Sequence, residues 1–327
     1  MNEEAPLASL LLIAYQQENT VTDAVAGALS QTYSPLEIIL SDDASTDGTF
    51  AAMQAAVAGY AGPHRIVLNH NPQNLGIGAH LSHLVGLSKG EMLFVAAGDD
   101  VSLPQRCERV MQAWHASGQH LDLIAAALID VDETGHSGAT ITPSDLATYH
   151  GAADWLARPP FVVGAAQAWT RRVFERFGPL PKGVVAEDLV MVLRALISGG
   201  AVTLAEPLVR YRRGGLSYRR RAQTASDVIK ALLKNNRSSL VELPLMLQDA
   251  RSAGQLAAIE PALRARLARE HFVRDLFAAR SLPAHCRVVL GAQSVPIALR
   301  LRLFVYAACP ALLAPFFWLK RSVRRER

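Results

Sequence analysis

Glu37-Ile-Ile-Leu-Ser-Asp-Asp-Ala-Ser-Thr-Asp-Gly-Thr49 runs from an apolar stretch straight into carboxylates and hydroxyls. Residues 36–40 predict a buried strand entered after Pro35, and residues 41–48 a polar turn that opens an Ala-rich helix over 49–58. The same alternation extends to both sides. Upstream, the apolar run 7–14 predicts a first strand. The helix after it, over 20–30, puts Val21, Val25, Ala28 and Leu29 on one face, with Thr20 and Asp23 at capping-box spacing. Downstream, strands are expected at 65–69, 92–96 and 121–129. Between them come helices at 76–87, where Ile77, Leu81, Leu84 and Val85 face inward, and at 104–117, opened by Pro104. Repeated strand–helix units of this kind define an α/β fold with a doubly wound, mostly parallel sheet and flanking helices.

Such sheets bind ligands outside the carboxyl ends of their strands. The polar residues fall there: Tyr15 after the first strand, Asp42 and Asp43 after the second, Asn71 and Asn74 after the third, Asp99 and Asp100 after the fourth. Each alone is ordinary turn chemistry. Delivered together to one rim, they predict a site.

Composition agrees with a large folded core, since half of the 327 residues are hydrophobic and 19% are charged. Cys107, Cys286 and Cys309 lie far apart, which excludes a disulfide scaffold and a cysteine-based zinc module. The acidic start, Met-Asn-Glu-Glu, lacks the basic, long-apolar pattern of a secretory signal, so the main body reads as cytosolic. The net charge of +4 hides a division: residues 1–150 carry 4 Lys+Arg against 17 Asp+Glu, and residues 151–327 carry 29 against 12. An acidic half argues against a nucleic-acid coat and suits a divalent cation, while the basic half is free to meet anionic lipid or phosphate.

In the second half, helices are expected near 152–156 and over 186–198, the latter opening with Glu187-Asp188, followed by short strands at 202–204 and 208–211 and a basic loop over 210–221. Residues 224–285 read as Leu-, Ala- and Arg-rich helices. Residues 303–319 form 17 uncharged positions between Arg300 and Arg302 on one side and Lys320 and Arg321 on the other. A helix of that length reaches about 26 Å, short of the roughly 30 Å hydrocarbon core. Pro310 and Pro315 interrupt it, and Phe316, Phe317 and Trp318 suit a membrane interface, so a monotopic or re-entrant segment is expected, with a buried helical hairpin as the alternative. Three divisions follow: 1–222, the main α/β domain; 223–287, a helical extension; 288–327, an apolar, basic-flanked membrane-associating segment.

The stretches 9–15, 28–33 and 37–49, with Asn74-Leu-Gly76, Lys89-Gly-Glu91, Gly98-Asp-Asp100 and Glu187-Asp188, resemble glycosyltransferase family 2 over about residues 7–215. The resemblance implies a GT-A fold and transfer of a sugar from a nucleotide diphosphate donor, usually with inversion. It implies Mn²⁺ or Mg²⁺ held by Asp99 and Asp100, a donor site at Ala14, Tyr15, Glu18, Asp42, Asn74 and Arg212, and Asp188 as general base with Glu187 beside it.

The chemistry is consistent with these assignments. Hard cations take oxygen ligands and keep places for water and phosphate, so one or two carboxylates suffice. A carboxylate at Asp42 can only accept, which pairs it with an imide N–H such as that of uracil, hence a UDP-sugar. Asp43 and Asp47 are expected to hold the turn. Two departures stand out. Ala97 occupies the position of the family's first aspartate, and Gly214 lies at or near that of a histidine in many relatives, which leaves Arg212 and Arg213 to meet phosphate oxygens. His80 and His83 at i, i+3 could bind metal but lack further ligands, and Trp155 and Trp169 read as core. The expected acceptor is a saccharide, lipid-linked, at the inner face of a membrane. The rival reading is a non-catalytic nucleotide-sugar-binding scaffold of a polysaccharide assembly complex.

Overall fold

A computed structural model describes residues 5–132, 134–212 and 224–310. The first elements alternate as expected: β1 (Ala8–Ala14), α1 (Val21–Leu29), β2 (Leu36–Asp42), α2 (Thr49–Val57), β3 (Arg65–His70), α3 (Ile77–Leu87) and β4 (Met92–Ala97). Every residue of β1 and β2 is buried, because helices cover both faces of a parallel sheet. These strands lie in the order β3-β2-β1-β4, all parallel, with Ala14 level with Asp42 and Asp42 level with His70. That register lines up the strand ends as one edge.

Beyond β4 the sheet turns mixed. β5 (Val101–Ser102), α4 (Arg106–Ala116), β6 (Leu123–Val131), β7 (Ser137–Ile141), α5 (Ala152–Ala157), β8 (Gln167–Thr170), α6 (Arg171–Phe177), α7 (Glu187–Leu196) and β9 (Ala201–Arg212) follow. β8 pairs antiparallel with both β4 and β6, so it separates the two instead of letting β6 continue the parallel run. The two short strands expected near 202–211 are one strand, β9, parallel to β6 with its register shifting around Pro207. A Pro without an N–H is accommodated at such irregularities. The core joins Leu10, Leu12, Ile38 and Phe94 to Val25 of α1 and Met111 and Trp114 of α4.

The expected capping box at Thr20 and Asp23 does not form. The Thr20 hydroxyl instead donates to the Gly98 carbonyl at 2.8 Å and pins the turn after β4.

The chain divides into two compact units, one of residues 1–218 with 249–255, the other of residues 219–248 with 256–327. The second is helical: α8 (Ala225–Ser252, whose last turns belong to the first unit), α9 (Leu256–Ala278), α10 (Leu282–Gly291) and α11 (Ile297–Ala308). Its core gathers Phe272, Val273, Leu276, Val289, Val295 and Leu303. No helix among the described residues is long and apolar enough to cross a membrane. The apolar segment expected at 303–319 begins inside α11, and from residue 311 onward it lies outside the described residues, as do Arg213 and Gly214.

Candidate active site

Two loops close over the ends of β1 and β2 and are stitched to each other. Gln16 N donates to Ser45 Oγ at 2.9 Å, Gln17 N to Thr49 Oγ1 at 2.8 Å, and Gly48 N to Glu18 Oε2 at 2.8 Å. Glu18 is thereby a loop tie, Ala14 is buried, and Tyr15 stands 48% exposed on the rim. Asp43 holds the next loop, accepting from Asn71 Nδ2 at 2.8 Å and from Leu75 N and Gly76 N at 2.9 Å. Asn74 Nδ2 donates to the Asp43 carbonyl at 3.2 Å, and the Asn74 carbonyl accepts from Lys182 Nζ at 2.9 Å. Asp47 caps its own turn through Thr49 N at 3.0 Å.

Asp42 is fully buried, and its carboxylate is already engaged by Ser45 and His70. No surface of Asp42 is exposed in this arrangement.

Beneath the rim, Asn69 Nδ2 donates to Ser41 Oγ at 2.8 Å, which directs the Ser41 hydroxyl hydrogen to His80 Nε2 at 2.6 Å. His80 is therefore a packed, neutral imidazole and not half of a metal pair. Burial lowers its pKa from 6.5 to about 4; Asp43 and Asp42 pull it up and His83 pulls it down. The unfolded chain takes up this proton below 6.5, the folded chain only near 4. Stability from this group is full above 6.5 and is lost as pH falls through that window. Between pH 7 and pH 5 the loss is about 2 kcal/mol. His80→Gln is expected to flatten that slope, read as urea midpoints at the two pH values.

Past β4, Gly98 lies so close to β1 that an added Cβ would sit 2.7 Å from Ala14 Cβ and 2.6 Å from Gln17 Oε1. Only glycine lets the turn approach so near, and it delivers Asp99, half-buried, and Asp100, buried, to the rim. Burial raises the pKa of Asp99 above the carboxylate range, and burial with the neighbouring Asp99 charge brings Asp100 up to about 8. Arg212 N donates to Asp100 Oδ1 at 2.8 Å, while the Arg212 guanidinium reaches Asp23 at 3.2 Å. A cleft of about 520 Å³ beside Asp99 is lined by Asp23, Gly27, Val101, Arg210 and Arg212. Among the described residues no group of three or more His, Cys, Asp and Glu side chains is arranged around a metal. Two adjacent carboxylates, Asp99 half-buried at the rim and Asp100 beside it, nevertheless fit a hard cation that completes its shell with water and phosphate.

β8 brings the last pair in. Because Phe94 of β4 lies opposite Ala168 of β8, the residues before β8 stand at the same edge as Asp99. Gly164 belongs to that approach, and a Cβ there would meet Glu187 Oε1 at 2.5 Å. Glu187 is accordingly buried against the chain, whereas Asp188 is half-buried, its Oδ1 accepting from Leu189 N at 2.8 Å.

Two residues of this framework are absent from the expectations. Gln167 Nε2 donates to the Asp188 carbonyl at 3.4 Å, and the Gln167 carbonyl accepts from Arg106 Nη2 at 3.2 Å. Arg106 is almost wholly buried and also donates to Val95 O at 2.8 Å and Ser102 Oγ at 2.9 Å, placing a cation within electrostatic reach of Asp100. A signal existed for it: Arg106 shares an i, i+4, i+8 row with Val110 and Trp114, the buried face of α4. Gln167, inside an apolar run, carried none.

An edge of this kind on a mixed α/β sheet is the GT-A arrangement, and solved structures bear out the fold. The chain is similar to S. aureus TarS 1-349 in complex with UDP-GlcNAc (TM-score 0.53, 16% identity, covering 98% of this chain and 92% of that one). It is also similar to the mannosyltransferase PcManGT from Pyrobaculum calidifontis in complex with GDP-Man and Mn²⁺ (TM-score 0.53, 15% identity, 95% and 87% covered). The chain belongs to glycosyltransferase family 2: the profile described as Glycosyl transferase family 2 matches residues 9–178. Among relatives, EpsE of Bacillus subtilis (strain 168), named as a candidate glycosyltransferase, is 29% identical over 243 residues, 73% of this chain and 84% of that protein. The succinoglycan biosynthesis protein ExoO of Rhizobium meliloti (strain 1021) is 26% identical over 235 residues, 66% and 64% of the two chains.

Proposed function

We propose that this glycosyltransferase moves a sugar, with inversion, from a UDP-sugar to a hydroxyl of a lipid-linked saccharide during surface polysaccharide synthesis. The observation that carries the reading is the shared edge: β8, inserted beside β4, sets Glu187-Asp188 at the same sheet edge as Asp99-Asp100. The name of EpsE supports glycosyl transfer, that of ExoO supports a place in polysaccharide biosynthesis, and the nucleotide sugars bound by TarS and PcManGT support the donor class; the transfer is read as hexosyl in type.

In this reading Asp188 takes the proton of the acceptor hydroxyl as its oxygen attacks the anomeric carbon. The bond from that carbon to the diphosphate breaks, and the nucleoside diphosphate leaves with the electron pair. One displacement by one base inverts the centre. Asp99 and Asp100 would hold Mn²⁺ or Mg²⁺, which supplies charge stabilisation for the leaving diphosphate. Tyr15 offers an exposed ring to the donor, and the loop ties of Glu18, Asp43 and Asn74 keep the rim in place before substrate arrives. Arg212 would reach phosphate by leaving Asp23, an exposed pair that holds it by about 1 kcal/mol or less. The test is nucleoside diphosphate release across UDP-, GDP- and TDP-sugars with Mn²⁺ or Mg²⁺, beside Asp99→Ala. Metal-dependent release of one diphosphate, lost in the variant, is expected. Donor binding without turnover, even with membrane extract as acceptor, would establish the scaffold reading instead.

The proposal includes a seat on the inner face of an anionic membrane. From residue 276 to residue 325 the chain has no Asp or Glu, but eight Lys+Arg. On α10, Leu282, Cys286 and Leu290 share one exposed row, with Leu290 73% exposed, and on α11 Ile297 and Leu301 are exposed beside Arg302. Apolar side chains among cations match an anionic bilayer surface. Sedimentation with vesicles is expected to be stronger for phosphatidylglycerol-containing than for purely phosphatidylcholine membranes. Leu290→Ser with Leu301→Ser should weaken it about tenfold or more. Equal partition onto both vesicle types would exclude the electrostatic part of this reading.

A further inference from the structure

The cleft of about 520 Å³ beside Asp99 is not accounted for by the donor. Of the residues read as donor contacts, Arg212 lines it, whereas Ala14, Tyr15, Glu18, Asp42 and Asn74 do not. Its volume lies within the roughly 300–1,000 Å³ of small-molecule sites. One wall is a single row of α1, Asp23, Gly27 and Ser30. A Cβ on Gly27 would lie 2.8 Å from Val101 Cγ1 and 2.9 Å from Ser102 O, so α1 rests directly on β5 there. Another wall is β9. Arg210 pairs with Val101 of β5, and Arg212 lies level with Val131 of β6. Two apart on a strand, both arginines turn to the same side and line this cleft.

The two arginines differ in what holds them. The Arg212 guanidinium has Asp23 at 3.2 Å. Among the described residues, the Arg210 guanidinium has one polar partner, Ser137 Oγ at 3.4 Å, and no carboxylate within ion-pair distance. The cleft therefore presents one exposed guanidinium without a counter-charge, a group whose fork matches a carboxylate or a phosphate. Its place along β9 is fixed by the strand: Arg212 N donates to Asp100 Oδ1, and Arg210 stands two residues, about 7 Å, further back. That is close to the length of one sugar residue. We propose that the cleft is an acceptor subsite in which Arg210 binds an oxyanion one sugar residue away from the hydroxyl being extended. The oxyanion is a phosphate of the linkage to lipid or the carboxylate of an acidic sugar. The assignment rests on the transferase reading above and extends it to the acceptor.

NMR-detected titration of the full chain, saturated with UDP and Mg²⁺, tests it with glucose, glucuronate, glucose 1-phosphate and inorganic phosphate. Wild type is expected to bind one or both sugar anions, and glucose about tenfold more weakly. The tighter anion names the source: glucose 1-phosphate stands for the linkage to lipid, glucuronate for an acidic sugar. Arg210→Ala should weaken that probe about tenfold, the worth of one charge-assisted hydrogen bond, and leave UDP affinity unchanged. Arg210→Lys, which keeps the charge but loses the fork, should recover part of the loss. Inorganic phosphate bound as tightly as the sugar anions would overturn the subsite in favour of a bare anion site. A parallel loss of UDP affinity in Arg210→Ala would overturn it in favour of a donor-side arginine. Glucose bound as tightly as the anions, or Arg210→Ala that binds them like wild type, would also overturn it. UDP bound with no sugar anion would overturn the acceptor subsite alone. Failure to bind UDP would overturn the UDP-donor reading on which it rests.

Discussion

Asp188→Asn is expected to lower sugar transfer by about 10²–10⁴-fold while leaving donor affinity unchanged. The amide keeps the size of the side chain and its acceptance from Leu189 N, so the start of α7 should hold its shape. What it lacks is basicity toward the acceptor hydroxyl. The structure separates the two acids of this pair by access. Glu187 is buried with Oε1 against Gly164, which suits a support, and Asp188 is half-buried at the opening of the helix. Single-turnover transfer with saturating donor is the measurement. If Glu187→Gln abolished transfer and Asp188→Asn spared it, the roles would be reversed. Loss of donor binding in Asp188→Asn would point to a donor-side role.

Asp249→Ala is expected to destabilise the protein by about 3–5 kcal/mol. Arg194, on α7, is wholly buried; its Nε donates to Asp249 Oδ2 at 2.7 Å and its Nη1 to the Gly178 carbonyl at 2.8 Å. Burial pushes the Asp249 carboxyl above its usual range against the pull of Arg194, so desolvation outweighs the pairing. A buried pair of this kind adds little net stability, but removing the acid leaves a guanidinium that cannot discharge. A fall in Tm on the order of 10 °C is the readout. Arg194→Met combined with Asp249→Leu should regain most of it, since an apolar pair needs no compensation. A single variant that melts like wild type would show that water reaches the site. Because α7 carries Asp188 at its other end, the single variant should also lose transfer near its melting range before donor binding fails.

Much of the first half was readable from short stretches. The buried strands at 36–40 and 92–96, the helices between them and the rim residues Asp42, Asn74, Asp99 and Asp100 are encoded by local periodicity and turn chemistry, and they fold where expected. The turn-holding roles of Asp43 and Asp47 were legible for the same reason, since an Asx side chain bonds the backbone a few residues away. The capping box at Thr20 does not form: Asp23 N donates to the Thr20 carbonyl, and the Thr20 hydroxyl donates to the distant Gly98 carbonyl. His70, Arg106 and Gln167 escaped because each is defined by partners on other elements, at Asp42, Val95 and Asp188.

The sequence by itself determined the α/β class, the family and the set of acids offered at the strand ends, because these depend on residues near one another along the chain. Tertiary structure alone decided that β8 lies between β4 and β6 and thereby brings Glu187 and Asp188 to the edge of Asp99. It also decided that Asp42 is fully buried, with His70 Nδ1 at 3.0 Å from its carboxylate. The physical reason is that strand pairing and burial are settled by which surfaces exclude water together, across separations that no local pattern of residues records.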